Sequence, residues 1–358
     1  MKKIRVMIVE DSAVTRELLR HIVDSDPRLE VAATVDSAEE ALRQLNTVAP
    51  DIISMDIRLP GMNGLEATQR IMMERPTPIV VVAASVASAD LNISINALRS
   101  GALAVVEKPV GVTHPDFEAQ AASICTQLAI MSQVRVVRQH ASRLIAAVST
   151  QTLPSAAKAF ATAPKTNAFS VLGLVASTGG PNAVMKVLRG LGPNFPLPIL
   201  LVQHITPCFL DGFVAWLATV CPFKVAIARH GEAPQPGTVY LSSVDRHLRY
   251  EGGVLRLDFS DPVSFQRPSG TVLFESLARG LGPKAIGVLL TGMGDDGASG
   301  LLAMRNAGAL TFAENETTAV VYGMPAEAAR MGAVCHSLPL DEIAPRVLES
   351  VMSETERQ

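Results

Sequence analysis

The chain has 358 residues, of which 48% are apolar and 18% charged. At roughly 150 residues per domain this length predicts two domains, and the apolar content supports sizeable cores, which excludes wholesale disorder. The net charge of -3, from 31 basic and 34 acidic residues, is too balanced for a protein that coats a nucleic-acid backbone, so no nucleic-acid partner is expected.

No run approaches the ~18 consecutive apolar residues of a membrane span, so no membrane insertion is expected. The opening Met-Lys-Lys-Ile-Arg-Val leads into a short apolar run closed by Glu10 and Asp11, unlike the longer apolar region of a signal peptide. Cys125, Cys208, Cys221 and Cys335 form neither a CxxC pair nor a zinc spacing, and a reduced, cytoplasmic compartment is the expectation.

Apolar runs at Ile4 to Val9, Glu30 to Thr34, Ile52 to Met55, Ile79 to Ala84 and Leu103 to Val106 alternate with amphipathic stretches. Continuous Val/Ile runs mean strands covered on both faces, as in a doubly wound parallel sheet. Charge is then unevenly spread: net -5 over 1–125, +5 over 126–168 and -3 over 169–358. The middle stretch holds no acid and from Ser149 reads STQTLPSAAKAFATAPKT, which has no period able to bury a face and predicts a linker. Its first part, Gln120 to Val148, has helical spacing, so the last helix of the first domain is expected to run into it. The charge of the connector predicts salt-sensitive docking against either acidic neighbour. Beyond it, Val171 to Val175, Ile199 to Val202 and Ile286 to Leu290 resume the pattern, with Gly237 to Leu241 and Val254 to Leu257 read as an inserted hairpin turning at Gly252-Gly253. The expected fold is α/β with two doubly wound parallel-sheet domains, 1–125 and 169–358, joined by 126–168.

Ligand sites in open α/β sheets gather beyond the carboxyl ends of the strands. Glu10 and Asp11 follow the first strand, Asp56 the third, and Lys108 the fifth. Each acid singly reads as a solvated turn residue. Together they form a carboxylate cluster that repels itself unless a cation sits within it, and hard oxygen ligands suit Mg²⁺. One carboxylate can then act as nucleophile toward phosphorus while Lys108 neutralises phosphoryl oxygens. These residues, with SMDIRLPGMNG around Asp56 and Lys108-Pro109, resemble a response-regulator receiver over about residues 3 to 125. The resemblance implies that Asp56 accepts a phosphoryl group from a histidine kinase and that Glu10, Asp11 and Asp56 hold the metal. Ala83 stands where such receivers carry Ser or Thr, with Ser85 two residues on, and Val105 stands where they carry an aromatic residue. These departures predict weakened transmission of phosphorylation.

In the second half, a strand runs into Ala176-Ser177-Thr178-Gly179-Gly180-Pro181. Ser177 thus sits on a strand-to-helix turn, where a nucleophilic hydroxyl is well presented and a helix N-terminus faces a developing oxyanion. The match to GxSxG is imperfect at Val175, and a lone Ser there equally reads as a helix cap. His204 ends the next strand, and Asp296 follows a later one within a glycine-rich turn that lacks the Lys-Ser/Thr of a P-loop. Singly, the His reads as structural and the acidic turn as a metal or phosphate loop. Jointly, Ser, His and Asp beyond three strand ends can meet at one sheet edge. His230, His247 and His336 read as surface or structural residues.

The segments AST-GG, Gln-His-Ile-Thr-Pro and LLTGMGDDGASGLLAMRNAGALTFAENETTAVVYGMP resemble the CheB family of chemotaxis protein-glutamate methylesterases. With the receiver in front, the resemblance spans nearly the whole chain. It implies that Ser177 is the nucleophile, His204 the base and Asp296, preferred over Asp295, the residue orienting His204, with Thr178 and the Met293 N–H around the oxyanion. It implies methyl-accepting chemoreceptors as substrate, methanol as product and no cofactor for hydrolysis, with glutamine deamidation open to the same site. Ser242 to Val244 and the residues after Ser269 depart from the family pattern. Two alternatives stay open: a non-catalytic response regulator that binds receptors or partners, and an esterase of a non-chemotactic pathway.

Overall fold

The computed structural model describes residues 2–83, 102–109, 111–115, 117–134, 169–205 and 209–353. The chain divides into two compact units, Met1–Thr166 and Asn167–Gln358. The expected linker from residue 135, its charge, and Ser85 lie outside the described residues.

The first unit alternates β1 (Ile4–Val9), α1 (Ala13–Ser25), β2 (Leu29–Val35), α2 (Ala38–Val48), β3 (Ile52–Met55), α3 (Gly64–Glu74), β4 (Ile79–Ala83), β5 (Ala104–Glu107) and α4 (Phe117–Met131). The strands form one parallel sheet in the order β2-β1-β3-β4-β5. Met7 and Val9, Ile53 and Met55, and Ile79 and Val81 join one core cluster, and their intervening neighbours are equally buried, which is why these strands read as unbroken apolar runs. The Ser12 hydroxyl caps α1 by accepting the Thr15 N–H, and the Asn63 carbonyl caps α3 by accepting from Leu65 and Glu66. Helix α4 passes residue 125 and continues to Met131.

The second unit places β6 (Val171–Ala176), β7 (Ile199–Gln203), β8 (Lys224–Ile227), β9 (Thr238–Leu241), β12 (Ala285–Leu289), β13 (Leu310–Glu314) and β14 (His336–Leu338) in a seven-stranded sheet ordered β14-β13-β12-β6-β7-β9-β8. All neighbours are parallel. Its described helices are α5 (Gly180–Leu191), α6 (Leu210–Val220), α7 (Gly270–Leu281), α8 (Ala298–Asn306), α9 (Met324–Arg330) and α10 (Leu340–Ser353). Helix α5 packs on α10, and α7 packs on α8. Among the described residues no helix is long and apolar enough to cross a membrane.

The inserted hairpin exists, but its strands are not those expected. Thr238–Leu241 is a fully buried parallel strand between β7 and β8. The hairpin is β10 (His247–Glu251) with β11 (Val254–Asp258), Glu251 opposite Val254, forming a separate two-stranded sheet. The reason is the turn. Gly252 and Gly253 both take positive φ, 59° and 86°, as a two-residue hairpin loop of the primed type requires. Such a loop pairs the strands immediately beside it, which excludes a segment that ends ten residues earlier. Leu248, Leu255 and Leu257 then seat the hairpin in one core cluster with Leu273, Phe274 and Leu277 of α7.

Candidate functional site

In the first unit the strand order reverses at β1, between β2 and β3, and the acids stand beyond the ends of β1 and β3. Glu10 is 0% exposed and Asp56 4%, while Asp11 is exposed. One oxygen of each of the three lies within 4.8 Å of the others. The Lys108 ammonium reaches over from the end of β5, donating to Asp56 Oδ2 at 2.9 Å and Glu10 Oε1 at 3.0 Å. Burial alone would lower the Lys108 pKa, but its bonds to the two carboxylates hold it above the ordinary lysine value. Burial raises Glu10 above the usual carboxylate range, Lys108 opposes this, and the Asp56 charge adds to it. Glu10 Oε2 lies 2.8 Å from the same ammonium as an ion pair. Three carboxylates whose oxygens converge against a single ammonium fit a hard cation. Gly64 lets α3 begin against this loop, since a Cβ there would sit 2.0 Å from the Asp56 carbonyl oxygen. Ala83 ends β4, buried, and Val105 lies half-buried on β5 against the core.

In the second unit the first strand, β6, is central: β7 lies on one side and β12 on the other. Ser177 leaves β6, His204 leaves β7, and Asp296 follows β12, so the serine stands between the other two strand ends at the topological switch point. His204 Nε2 is hydrogen-bonded to Asp296 Oδ2 at 2.8 Å. Among the described residues no hydrogen bond joins Ser177 Oγ to His204.

Glycines make the close approach possible. Gly179 takes φ +76° at the turn, and a Cβ there would meet Val320 at 2.5 Å. A Cβ on Gly292 would lie 2.2 Å from Met324 Sδ and 2.8 Å from Ser177 Cβ. Gly292 therefore keeps the post-β12 loop directly against the serine. The Ser177 N–H donates to the Thr291 carbonyl at 3.0 Å, Thr291 Oγ1 donates to the Thr178 carbonyl at 2.8 Å, and Glu314 accepts the Thr291 N–H at 3.0 Å. Burial pushes the Glu314 carboxyl up. The N–H groups of Thr178 and Met293 have no hydrogen-bond partner among the described residues, which leaves them free to donate to an oxyanion.

Asp296, 2% exposed, is the most satisfied side chain of the site. Besides His204 it accepts from Ser269 Oγ at 2.5 Å, the Gly270 N–H at 2.6 Å and the Thr271 N–H at 3.1 Å, all at the N-terminus of α7. Burial alone would raise its pKa, but the His204 bond and charge, then Ser269 and Gly270, hold it below the ordinary value. Asp295 is exposed. Gln203 was quoted in sequence only as part of a motif. Its Nε2 donates to the carbonyls of both Ser177, at 2.8 Å, and His204, at 3.0 Å, and so ties the two strand ends together. Ser269 enters the sequence pattern only as a departure point, and His247, expected to be surface or structural, is 0% exposed, which removes the surface alternative. A cleft of about 60 Å³ is lined by Gln203, Ile205, Ser243, Val244, Arg267 and Pro268 among others, and by none of Ser177, His204 and Asp296.

The fold and the two sites describe a receiver-type unit joined to a second parallel-sheet unit in which Ser, His and Asp stand beyond neighbouring strand ends. The profile of the CheB methylesterase family matches residues 172–347, and that of the response regulator receiver domain matches 6–114. Protein-glutamate methylesterase/protein-glutamine glutaminase 2 of Paramagnetospirillum magneticum is 56% identical over 346 residues, 97% of each chain. The protein-glutamate methylesterase/protein-glutamine glutaminase of Nitrosospira multiformis is 43% identical over 99% of this chain and 98% of its own. A crystal structure of the Thermotoga maritima CheB methylesterase catalytic domain is 33% identical over 51% of this chain and 98% of that domain, with a TM-score of 0.49. The chain belongs to the family of protein-glutamate methylesterase/protein-glutamine glutaminases that carry a receiver domain.

Proposed function

We propose that this chain hydrolyses glutamate γ-methyl esters on methyl-accepting chemoreceptors, releasing methanol, and deamidates receptor glutamines at the same site, under control of phosphorylation at Asp56. The observation that carries this reading is the His204–Asp296 hydrogen bond beside Ser177 at the switch point of the second sheet. The catalytic residues are Ser177, His204 and Asp296. Because Nε2 of His204 is engaged by Asp296, Nδ1 is the nitrogen left to take the Ser177 proton. The Ser177 oxygen then attacks the γ-carbonyl carbon, and the Thr178 and Met293 N–H groups receive the oxyanion. Collapse expels methanol, which carries away the proton held on His204. Water, deprotonated by the same imidazole, attacks the acyl-serine; glutamate is freed as the imidazolium returns that proton to the departing Ser177 oxygen. A glutamine amide passes through the same acyl-serine and releases ammonia. The scheme uses no cofactor for hydrolysis.

In the receiver, residues 1–125, Asp56 takes its phosphoryl group from a histidine kinase. Glu10, Asp11 and Asp56 would hold Mg²⁺, which when bound supplies positive charge for the phosphoryl oxygens. Lys108 already stands between Glu10 and Asp56 to do the same from the protein side. Residues 126–168 connect the receiver to the catalytic domain, 169–358, and the cytoplasm is the proposed compartment. With Ala83 where a hydroxyl would contact the phosphoryl group, the coupling is proposed to be weak.

The test is methanol release by the full chain from methyl-labelled receptor membranes, with and without a small-molecule phosphodonor. Ser177→Ala is expected to lower the rate by roughly four orders of magnitude or more. Near-native release by that variant overturns the catalytic assignment, and no release by the native chain favours a binding regulator. A large phosphodonor gain that vanishes in Asp56→Ala overturns the weak coupling.

A further inference from the structure

Of the four donors to Asp296, only His204 takes part in the chemistry. The other three belong to residues 269–271, and what orients them lies outside the main sheet. His247, on β10 of the hairpin, is fully buried with its ring between two backbone groups. Nδ1 is 3.2 Å from the Ser269 nitrogen, and Nε2 is 3.1 Å from the Asp261 carbonyl oxygen. A peptide N–H only donates and a carbonyl only accepts, so these partners permit one state of the ring: neutral, with its proton on Nε2.

The Ser269 N–H caught by Nδ1 precedes α7, where backbone donors have no intrahelical partner. Holding it sets the Ser269 peptide plane. The Ser269 hydroxyl and the next two N–H groups then converge on both oxygens of Asp296, and Oδ2 remains aligned on His204. The chain of contacts therefore runs from Asp261 through His247, Ser269 and Asp296 to His204 without a gap.

We infer that His247 is a positioning residue for ester hydrolysis, acting through Ser269 to fix Asp296 in the orientation that grips His204. The β10–β11 hairpin is on this view a clamp on the catalytic carboxylate. The inference rests on the Ser177-His204-Asp296 reading, and its test separates the two.

The test compares His247→Leu, which removes the acceptor, with His247→Asn, whose side-chain oxygen falls where Nδ1 stands. Both are made in the full chain and assayed by methanol release over a series of receptor concentrations, with Ser177→Ala alongside. His247→Leu is expected to lower kcat roughly 10- to 100-fold with KM changed less than about twofold, because a misaligned catalytic group costs rate rather than binding. His247→Asn is expected to stay within about fivefold of the native kcat, since the hydrogen bond to Ser269 survives. A purely structural histidine would lower the melting temperature of both variants and spare the kcat of the folded fraction. Native kcat in folded His247→Leu overturns the inference, as does an Asn variant as slow as the Leu variant. If the Leu variant does not fold, ¹⁵N spectra of histidine-labelled protein decide. A neutral Nε2–H ring at His247 supports the inference, and an Nδ1–H or doubly protonated ring overturns it. Native methanol release by Ser177→Ala would instead overturn the triad itself.

Discussion

The two sites occupy equivalent places, beyond the carboxyl ends of parallel strands where the strand order reverses, yet they treat a buried carboxylate in opposite ways. Asp296 is surrounded by donors, three of them from the start of α7, and is held ionised. Glu10 shares one lysine with Asp56, accepts one long bond from the Ser12 N–H at 3.3 Å, and is pushed toward protonation by burial. A carboxylate with every lone pair engaged has no capacity for a ligand and serves to orient its neighbour. A carboxylate left short of donors is poised to bind one. The proposed roles follow the same division: Asp296 orients His204, and Glu10 with Asp11 and Asp56 would hold a cation.

The sharpest way to break this contrast is Asp296→Asn. If the carboxylate orients His204 through its charge, kcat should fall roughly 10⁴-fold with the fold retained, measured by methanol release and circular dichroism. A loss below tenfold would place the orienting charge elsewhere. Gly292→Ala tests the packing that keeps the loop on the serine. Its new methyl would lie 2.2 Å from Met324 Sδ and 2.8 Å from Ser177 Cβ, so activity should drop by roughly 10²-fold, with a stability loss of about 1–3 kcal/mol in chemical denaturation. Glu10→Gln should do the reverse in the receiver. Without divalent cation it relieves repulsion with Asp56 and should raise the melting temperature of that unit by a few degrees, while abolishing the further rise on adding Mg²⁺.

The same contrast has a pH signature with opposite signs, and it is the smallest effect. The folded value of Glu10 is raised, so its contribution is fully present below its unfolded value and is lost as pH rises through the folded value. The folded value of Asp296 is lowered, so its contribution is present above its unfolded value and is lost as pH falls through the folded value. Acidification from neutrality should first raise the receiver transition in scanning calorimetry, and only at lower pH reduce the catalytic one. Receiver melting that falls throughout acidification would contradict the assignment.

Both parallel sheets were legible in the sequence because their strands are buried on two faces and read as unbroken apolar runs. Ile52 to Met55 has the boundaries read from sequence, and Ile4 to Val9 does as well. Strands β8, β13 and β14 have no counterpart in the sequence reading: Lys224–Ile227 and His336–Leu338 are short, partly buried edge strands, and Leu310–Glu314, though buried, is no unbroken apolar run because Thr311 and Glu314 interrupt it. The hairpin partner was misread because apolar character was weighed above the turn, although two adjacent glycines dictate pairing of their immediate flanks. At the site, the placement of Glu10, Asp56, Ser177, His204 and Asp296 beyond strand ends is legible from the apolar runs, whereas the roles proposed for them rest on the family resemblance. The parts played by Ser269, Gln203 and His247 were not legible, since each acts through a backbone group or through another side chain, and sequence spacing carries no trace of a hydrogen bond to a peptide.

The central place of β6 has a consequence for biosynthesis. It is the first described strand of its unit, yet it pairs with β12, whose following loop carries Asp296, 92 residues after His204. A nascent chain thus exposes Ser177 before the sheet on its second side can close, and Asp296 is added 119 residues later. On the proposed roles, a chain interrupted before β12 would carry the serine without the carboxylate that orients its base.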